Sequence, residues 1–295
     1  MGLGLLGRGI GDVIFLAEEG AILTVTDLKT ATELAPSLEE LKKAFGSAYD
    51  KIVFTLGGHR LEDFRNKNFI LKAAGVPLDS SYIDEARKNN IPIEMSAALF
   101  AAFTQATVVG VTGTRGKSTV THLLYEILKA GYKKGNVFIG GNIKGMSSLP
   151  LLRETKAGDI AVLELVSWHL QGFGEREISP HISIFTTFFP DHLNYYNGDL
   201  ASYFGDKANI FKYQTEKDIL ILGEQVEETL LRDFPEYEKE IRSKIIIANP
   251  QDISPNWQIK IPGEHNQANI ACALGAAKAL GIPDQLIQNA VQTFK

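Results

Sequence analysis

The sequence contains one cysteine, Cys272, and therefore cannot form an intrachain disulfide, which excludes the disulfide-rich secreted scaffolds. It also lacks an apolar run of the roughly 18 residues that a membrane span requires, and no cationic segment followed by a long apolar stretch opens it. Basic residues are not in excess, because the formal net charge is -5, so composition gives no reason to expect a nucleic acid partner. These absences predict a cytoplasmic globular protein without membrane insertion, although they do not exclude a weak association with a membrane surface. We also expect a monomer.

The stretch at residues 108–128, VVGVTGTRGKSTVTHLLYEIL, is the most informative part of the sequence. A β-branched run, a glycine-containing break and then apolar residues at helical spacing predict a strand, a tight loop and a helix. Backbone N–H groups of such a loop and of the helix N-terminus can bind a phosphate, while Lys117 adds an ammonium group and Ser118 a hydroxyl for Mg²⁺. The strict Walker A spacing is not met, because Val111 occupies the position of its first glycine. The alternative, a turn that merely needs small residues, leaves Lys117 and Ser118 unexplained.

A second glycine pattern opens the chain, where Gly2, Gly4 and Gly7 have the spacing of the dinucleotide fingerprint and Asp27 ends the strand AILTVTD about 20 residues later. A first strand normally precedes this fingerprint, and here Met1 directly adjoins the first glycine, so we expect either that the strand is missing or that the start has been trimmed. The pattern predicts a Rossmann-like βαβ unit whose helix N-terminus faces a diphosphate, with Asp27 accepting hydrogen bonds from a ribose or base. A surface acid at the end of a strand, and an NAD site, are the alternatives.

Strands and helices alternate throughout the sequence, which predicts a parallel α/β sheet in each of two domains. A length of 295 residues also favours two domains, which we place at residues 1–95 and 96–295.

Three polar positions in the second domain stand out against apolar surroundings. Glu164 lies within the strand DIAVLELVS, where a carboxylate needs a cation or hydrogen bonds, so that Mg²⁺ or an exposed sheet edge would explain it. His192 follows the strand ISPHISIFTTFF, at the end of a parallel strand where α/β folds bind ligands, and the adjacent Asp191 could instead cap a helix. Lys207 lies between Phe204 and Phe211, where desolvation could free a neutral amine able to form a carbamate, although a solvated helix lysine is the simpler interpretation.

Two asparagine positions complete the candidate set. Asn142 follows the strand NVFIGG and could cap a helix or contact phosphate. Asn266 and Asn269 lie three residues apart at the start of the helix NIACALGAAKALG, where they could contact an adenine edge or cap the helix.

These stretches together resemble the Mur ligases of peptidoglycan synthesis. The resemblance covers six motifs in the family's order: GTRGKST (113–119), GGNIKG (140–145, with Lys144 inserted), ELVSWHL (164–170), Asp191-His192, Lys207, and GEHNQAN (263–269).

The resemblance implies a Rossmann-like domain that binds the UDP substrate, followed by a P-loop central domain with a mostly parallel sheet. It implies ATP-dependent amide formation through an acyl phosphate, adding D-glutamate to UDP-N-acetylmuramoyl-L-alanine. The implied ATP contacts are Gly113, Thr114, Arg115, Gly116, Lys117, Ser118, Thr119 and Asn269, and the implied UDP-substrate contacts are Leu5, Leu6 and Asp27. The implied ligands of two Mg²⁺ sites are Ser118, Glu164, His192 and carbamylated Lys207, and the implied catalytic residues are Lys117, Lys207, His192 and Asn142.

The sequence also departs from the family pattern. Val166 and His169 replace a serine and a glutamine, which bears on how the muramoyl substrate is held. The family's third, C-terminal domain binds the amino acid, and the sequence ends where that domain would begin, so we expect binding without turnover. A folylpolyglutamate synthase type of ligase and a non-catalytic UDP-sugar or nucleotide-binding module are the rival functions.

Overall fold

A computed structural model of the chain describes residues 1–294, along which helices and parallel strands alternate. The helices are α1 (Arg8–Glu18), α2 (Ala35–Phe45), α3 (Ser81–Lys88), α4 (Ser96–Phe103), α5 (Lys117–Gly131), α6 (Leu151–Glu154), α7 (Ser167–Glu175), α8 (Leu200–Ala208), α9 (Glu224–Asp233), α10 (Pro235–Glu238), α11 (Glu264–Ala279) and α12 (Asp284–Thr293). The strands are β1 (Thr24–Asp27), β2 (Val53–Leu56), β3 (Ile70–Leu71), β4 (Ile93–Glu94), β5 (Thr107–Thr112), β6 (Val137–Gly141), β7 (Ile160–Glu164), β8 (Ile182–Phe185), β9 (Ile219–Gly223) and β10 (Lys244–Ala248). Short 3₁₀ turns lie at Gly46–Lys51, Leu61–Phe64 and Pro250–Asp252.

The chain forms two compact units, one made of Met1–Phe103 with Ile143–Glu154, and the other of Thr104–Asn142 with the described residues from Thr155 onward. Helix α4 therefore lies in the first unit, beyond the division expected after residue 95. Its Leu99 is buried there in a cluster with Phe15 and Leu149, which explains why the boundary falls later. The assignment of the two domains to UDP-substrate and ATP binding stays a prediction.

The first unit contains two parallel strand pairs, β1 with β2 and β3 with β4. The backbone of residues 1–2 lies between these pairs. Gly2 N donates to Thr26 O at 2.8 Å, while Met1 N donates to Leu71 O at 2.9 Å and Ala73 N donates to Met1 O at 2.9 Å. Two residues thus occupy the position where the sequence pattern leads us to expect a preceding strand.

Helices α1 and α2 cover β1 and β2 with apolar side chains that are fully or nearly fully buried. Ile10, Val25, Leu34 and Leu41 belong to this cluster, and burying each contributes roughly 1.5–3 kcal/mol. The segment 143–154 is joined to the same unit by polar contacts: Gly145 N donates to Leu6 O at 2.9 Å, and the Ser147 hydroxyl donates to a carboxylate oxygen of Asp12.

The second unit contains a six-stranded, fully parallel sheet with strand order β10-β9-β8-β5-β7-β6. The predicted α/β class with a mostly parallel sheet is confirmed. Strands β5, β7 and β8 lie inside the sheet, and nearly all of their residues are buried. Because side chains on both faces of each strand are buried, their sequences are nearly continuously apolar. Helices α5, α11 and α12 pack with one face of this sheet in a large apolar cluster that includes Val109, Leu123 and Ile270.

The order of the strands places a ligand site at β5. Along the chain the sheet grows from β5 to β6 and β7 on one side, and then from β8 to β9 and β10 on the other. Ligands of open α/β sheets bind outside the carboxyl ends of the strands where the direction of growth reverses. The loops after β5, β6, β7 and β8 all begin at that edge.

Two elements differ from expectation. The predicted strand over residues 178–189 is limited to β8, because residues 186–189 leave the sheet and bind the loop after β5. The predicted acidic helix over residues 224–242 stops at Asp233, because Pro235 disfavours helical conformation at Phe234. Within the described residues, no helix is both long and apolar enough to cross a membrane.

Candidate nucleotide and metal site

The loop after β5 has the backbone geometry of a phosphate-binding loop. Gly116 adopts a φ of 84° and immediately precedes α5, which begins at Lys117 without a side-chain cap. The first N–H groups of α5 are therefore available to an anion. A side chain at Gly113 would place its Cβ 2.0 Å from Thr186 Oγ1, and one at Gly116 would place it 2.1 Å from Asn269 Oδ1, so both positions require glycine.

Lys117 lies inside the curve of this loop. Its Nζ donates to Gly113 O at 2.9 Å and to Thr114 O at 3.0 Å. Desolvation lowers its pKa, against the opposing effect of the carboxylates of Glu164 and Asp191. The side chain is thus a partly desolvated cation, which would interact strongly with an anionic ligand.

Glu164 ends β7 between its neighbours β5 and β6, where it is paired with Val111 and Gly141. Its side chain is only 4% exposed, so the interpretation as a solvent-facing edge residue is wrong. Asn142, which follows β6, donates from Nδ2 to Glu164 Oε1 at 2.9 Å. Asn142 therefore holds the carboxylate, and the hydrogen bond of its own backbone N–H to Glu164 O at 2.7 Å fixes the two residues together.

His192 lies in the loop after β8 with a φ of 52°, a left-handed conformation that is uncommon for a residue with a side chain. Its ring contacts the Trp168 ring at a centroid distance of 5.0 Å. The neighbouring Asp191 accepts the His192 backbone N–H at 2.8 Å and does not cap α8, whose cap is Asp199. The Asp191 and His192 side chains are both partly exposed.

Lys207 is buried to 1% exposure on α8, so the interpretation as a solvated helix lysine is wrong. Its Nζ donates to Gly113 O at 2.9 Å and lies 4.9 Å from the centroid of the Tyr203 ring. Desolvation holds its pKa well below the usual range, and the positive charge of Lys117 acts in the same direction. The carbonyl of Gly113 thus accepts hydrogen bonds from both lysines, which brings these two predicted residues together.

Within residues 1–294, no three His, Cys, Asp or Glu side chains lie close enough together to bind a metal by themselves. Mg²⁺ commonly binds through one or two carboxylates together with substrate phosphates and water. The buried carboxylate of Glu164 near the phosphate loop fits that pattern.

The comparison with known proteins identifies the family of this chain. Residues 111–277 match the family described as Mur ligase middle domain, and this match covers more than half of the chain. The chain belongs to the Mur ligase family.

Two curated relatives carry the same name, UDP-N-acetylmuramoylalanine--D-glutamate ligase. The protein from Roseiflexus sp. (strain RS-1) is 33% identical to this Mur ligase chain over 322 aligned positions, covering 100% of the chain and 66% of the relative. The protein from Borreliella burgdorferi (strain ZS7) is 38% identical over 255 positions, covering 86% of the chain and 52% of the relative. The chain therefore spans between about half and two thirds of the length of these relatives.

The same architecture occurs in the crystal structure of UDP-N-acetylmuramate:L-alanyl-gamma-D-glutamyl-meso-diaminopimelate ligase from Neisseria meningitides. The TM-score is 0.63 at 14% sequence identity, with 100% of this chain and 96% of that chain covered. At this identity the similarity establishes the fold alone.

Asn269, another predicted residue of this Mur ligase chain, lies next to the phosphate loop and is hydrogen-bonded within the protein. Asn269 on α11 is 5% exposed and donates to Asn266 Oδ1 at 3.0 Å, with its own amide against Gly116. Helix α11 begins at Glu264, earlier than predicted, so both asparagines are within the helix. An adenine contact stays a prediction for Asn269.

In the first unit, Asp27 ends β1 and is 6% exposed, so the interpretation as a surface acid is wrong. Its carboxylate accepts the backbone N–H groups of Gly4 and Lys29, each at 2.9 Å. The acid thereby ties the glycine loop to the end of β1. Leu5 and Leu6 in that loop are 48% and 54% exposed, and their contact with a UDP substrate stays a prediction.

Sequence reasoning missed the residues that support the phosphate loop. Thr186 and Thr187, directly after β8, donate from their hydroxyls to Arg115 O at 2.5 Å and 3.1 Å, and Thr187 Oγ1 accepts the Arg115 N–H at 2.9 Å. Two adjacent threonines at the end of a buried strand were the only signal in the sequence.

Val166 and His169 lie at the N-terminus of α7, and His169 is buried.

Proposed function

We propose that this Mur ligase chain forms the nucleotide-binding and UDP-substrate-binding parts of a ligase that joins D-glutamate to UDP-N-acetylmuramoyl-L-alanine with ATP. The observation that carries the proposal is the arrangement of Lys117, Glu164 and Lys207 around one phosphate loop. Both curated relatives described above have the name of that activity, and the family match supports the class of reaction.

The phosphates of ATP would be bound by the N–H groups at the start of α5 and by the ammonium of Lys117. Binding requires Lys117 Nζ to exchange its carbonyl partners, Gly113 O and Thr114 O, for phosphate oxygens. Both existing partners are neutral, so a charged acceptor gives the stronger hydrogen bond. The same ammonium would stabilise charge on the transferred phosphate while a substrate carboxylate attacks it.

The proposal includes two Mg²⁺ sites. Ser118 and Glu164 would hold one ion, and His192 with Lys207 the other. When bound, the ions neutralise phosphate charge. Asn142 keeps the Glu164 carboxylate oriented through its amide and would orient the substrate.

Lys207 would contribute as a carbamate. Its lowered pKa increases the fraction of neutral amine, whose lone pair can attack the carbon of CO₂ while the nitrogen loses a proton. The product is an anion in place of a cation, which removes the repulsion between Lys207 and Lys117 and adds oxygen donors for a metal.

The first unit would bind the UDP substrate at the N-terminus of α1. Gly7 adopts a φ of 81° as the residue before that helix, and Asp27 fixes the preceding loop through Gly4. Exposed Leu5 and Leu6 would contact the substrate. A diphosphate at this terminus would meet backbone N–H donors and a favourable helix dipole.

Calorimetric titration with ATP and Mg²⁺ tests the nucleotide site. Lys117→Ala should lose at least about tenfold in affinity, because a charge-assisted bond to phosphate contributes roughly 1.5–3 kcal/mol. Its fold should persist, since Nζ contacts only carbonyls of its own loop. Lys129→Ala is the matched control, since it removes an exposed lysine from the last turn of the same helix. Equal affinities for wild type and Lys117→Ala would refute the nucleotide site.

A separate measurement tests the carbamate. With ¹³C-labelled bicarbonate, a carbamate signal in the NMR spectrum should be present in the wild type and absent from Lys207→Met. The signal should persist in Lys212→Met, where the removed lysine is at the surface and lies 3.7 Å from Glu240. A signal that survives Lys207→Met would contradict the assignment. Binding of UDP-N-acetylmuramoyl-L-alanine, with or without ATP, then separates the ligase from a nucleotide-binding module that lacks this substrate.

A further inference from the structure

Thr114 lies in the phosphate loop, yet its hydroxyl is bonded to other parts of the protein. Oγ1 donates to Phe189 O at 3.1 Å and accepts the Phe189 N–H at 3.0 Å. It also lies 3.3 Å from the hydroxyl of Tyr203. The residue is 6% exposed, so its side chain is enclosed by these partners.

Each partner of Thr114 adjoins a residue that the proposed function assigns to the second metal site. Phe189 is separated from His192 by only two residues along the chain. Tyr203 precedes Lys207 by one turn of α8, and its ring lies under the Lys207 ammonium. One hydroxyl of the phosphate loop is therefore bonded to a residue close to His192 in the chain and to a residue whose ring contacts the Lys207 ammonium.

The segment leading to His192 is also held from its other side, so it cannot move freely away from the loop. Thr114 N donates to Thr187 O at 2.7 Å. Gln225, in the first turn of α9, accepts the Phe188 N–H and donates to the Phe188 carbonyl, both at 2.8 Å. Phe188 itself is buried against the rings of Tyr203 and Phe204. A displacement of the loop at Thr114 is thus transmitted to the residues that precede His192.

We propose that Thr114 is a positioning residue which couples occupation of the phosphate loop to the placement of His192 and Lys207. The inference rests on the proposed nucleotide and metal sites. It predicts that nucleotide and Mg²⁺ bind with mutual reinforcement, since coupling between two sites is reciprocal in free energy. Part of that reinforcement passes through the Thr114 hydroxyl.

The alternative role for Thr114 is a direct phosphate ligand. Its hydroxyl proton is already donated to Phe189 O, which leaves no donor for an anion unless that bond breaks. Backbone N–H groups and Lys117 supply the donors that phosphate needs. A direct phosphate ligand would strengthen ATP binding even without metal. A positioning residue would affect ATP binding mainly when Mg²⁺ is present.

The test measures the affinity for ATP by calorimetry in excess EDTA and again in excess Mg²⁺, for wild type and Thr114→Val. Valine keeps the shape of threonine and removes the hydroxyl. We expect affinity without metal to change by less than about twofold, whereas the enhancement by Mg²⁺ should fall by at least about fivefold, the lower end of typical coupling between sites. Thr114→Ser, which keeps the hydroxyl, should restore the enhancement.

Two further variants make the result decisive. Thr121→Val is the matched control: the Thr121 hydroxyl is fully buried on α5 and has no hydrogen-bond partner among residues 1–294, so both affinities should match wild type. Tyr203→Phe removes a single hydroxyl and should also reduce the enhancement by Mg²⁺, by a smaller factor than Thr114→Val does. If Thr114→Val does not fold, Tyr203→Phe provides the test.

The outcomes separate this inference from the proposed function. Absence of ATP binding by the wild type would remove the nucleotide site itself. If Thr114→Val weakens binding equally with and without Mg²⁺, Thr114 is a phosphate ligand and the coupling is refuted. Retention of the full enhancement in both Thr114→Val and Tyr203→Phe would also overturn it.

Discussion

Replacing Gly116 with alanine should destabilise the second unit by about 2 kcal/mol. The left-handed backbone at this position, with a φ of 84°, costs a residue with a side chain roughly 1–2 kcal/mol. The new Cβ would lie 2.1 Å from Asn269 Oδ1, so the buried amide of Asn269 must rotate and lose its bond to Asn266. That lost hydrogen bond adds about 1 kcal/mol. The lower entropy of alanine in the unfolded chain offsets roughly 0.4–1 kcal/mol.

Gly198 provides the matched control for this prediction. It has a φ of 80° and belongs to the same unit, and apart from Gly198 and its two chain neighbours no atom of the described residues lies within 4 Å of the position that a Cβ would take. Gly198→Ala therefore carries the backbone strain without the clash, and should cost about 1 kcal/mol or less.

Urea unfolding followed by tryptophan fluorescence measures both variants. The two tryptophans, Trp168 and Trp257, lie in the second unit, so the signal reports on it. The free energy of unfolding should fall further for Gly116→Ala than for Gly198→Ala, by about 1 kcal/mol, the contribution of one hydrogen bond. If both variants lose the same free energy of unfolding, the contact with Asn269 does not explain the need for glycine at position 116. If neither variant loses stability, the argument from backbone strain is refuted as well.

Two further predictions concern buried titratable groups. Burial raises the pKa of Asp12, against hydrogen bonds from Ser147 and Ser96 that lower it. The folded state therefore binds this proton more tightly than the unfolded state does, and the free energy of unfolding should fall as pH rises from 3.8 through the folded pKa, by up to about 1.4 kcal/mol per pH unit. Asp12→Asn should lack this slope in urea unfolding at a series of pH values, and parallel curves for the two proteins would contradict it. Burial also raises the pKa of the Cys272 thiol to about 12, so at pH 8 a thiol reagent should modify it only after unfolding, as mass spectrometry would show. Modification of the folded protein within minutes would count against its burial on α11.

The sequence was sufficient to predict the parts of the site that depend on local chemistry. The phosphate loop is a contiguous segment, and its glycines and Lys117 together indicate phosphate binding. Glu164 could be found because a carboxylate in an apolar strand demands a partner, and the structure supplies Asn142.

The remaining features depend on contacts between distant segments, which spacing along one chain does not specify. The hydroxyls of Thr186 and Thr187 matter because β8 lies beside β5, a pairing that only the sheet order determines. The return of residues 143–154 to the first unit follows from close packing of Gly145 against Gly7 and from Ser147 reaching Asp12. Solvation of Lys207, which its helical spacing favoured, was wrong because α8 turns that side chain toward Gly113.

The support of the phosphate loop by Thr187 has a consequence for the order in which the protein is made and folds. Arg115 and its partner Thr187 are separated by 72 positions in the chain. During synthesis the loop and α5 emerge first. They lack the hydrogen bonds from Thr187 until β8 has been made and has paired with β5. Pairing between such distant segments is slow, since the closure of a long loop must precede it. The acquisition of nucleotide binding by a nascent chain would therefore report that the centre of the sheet has assembled, and not merely that the loop has been synthesised.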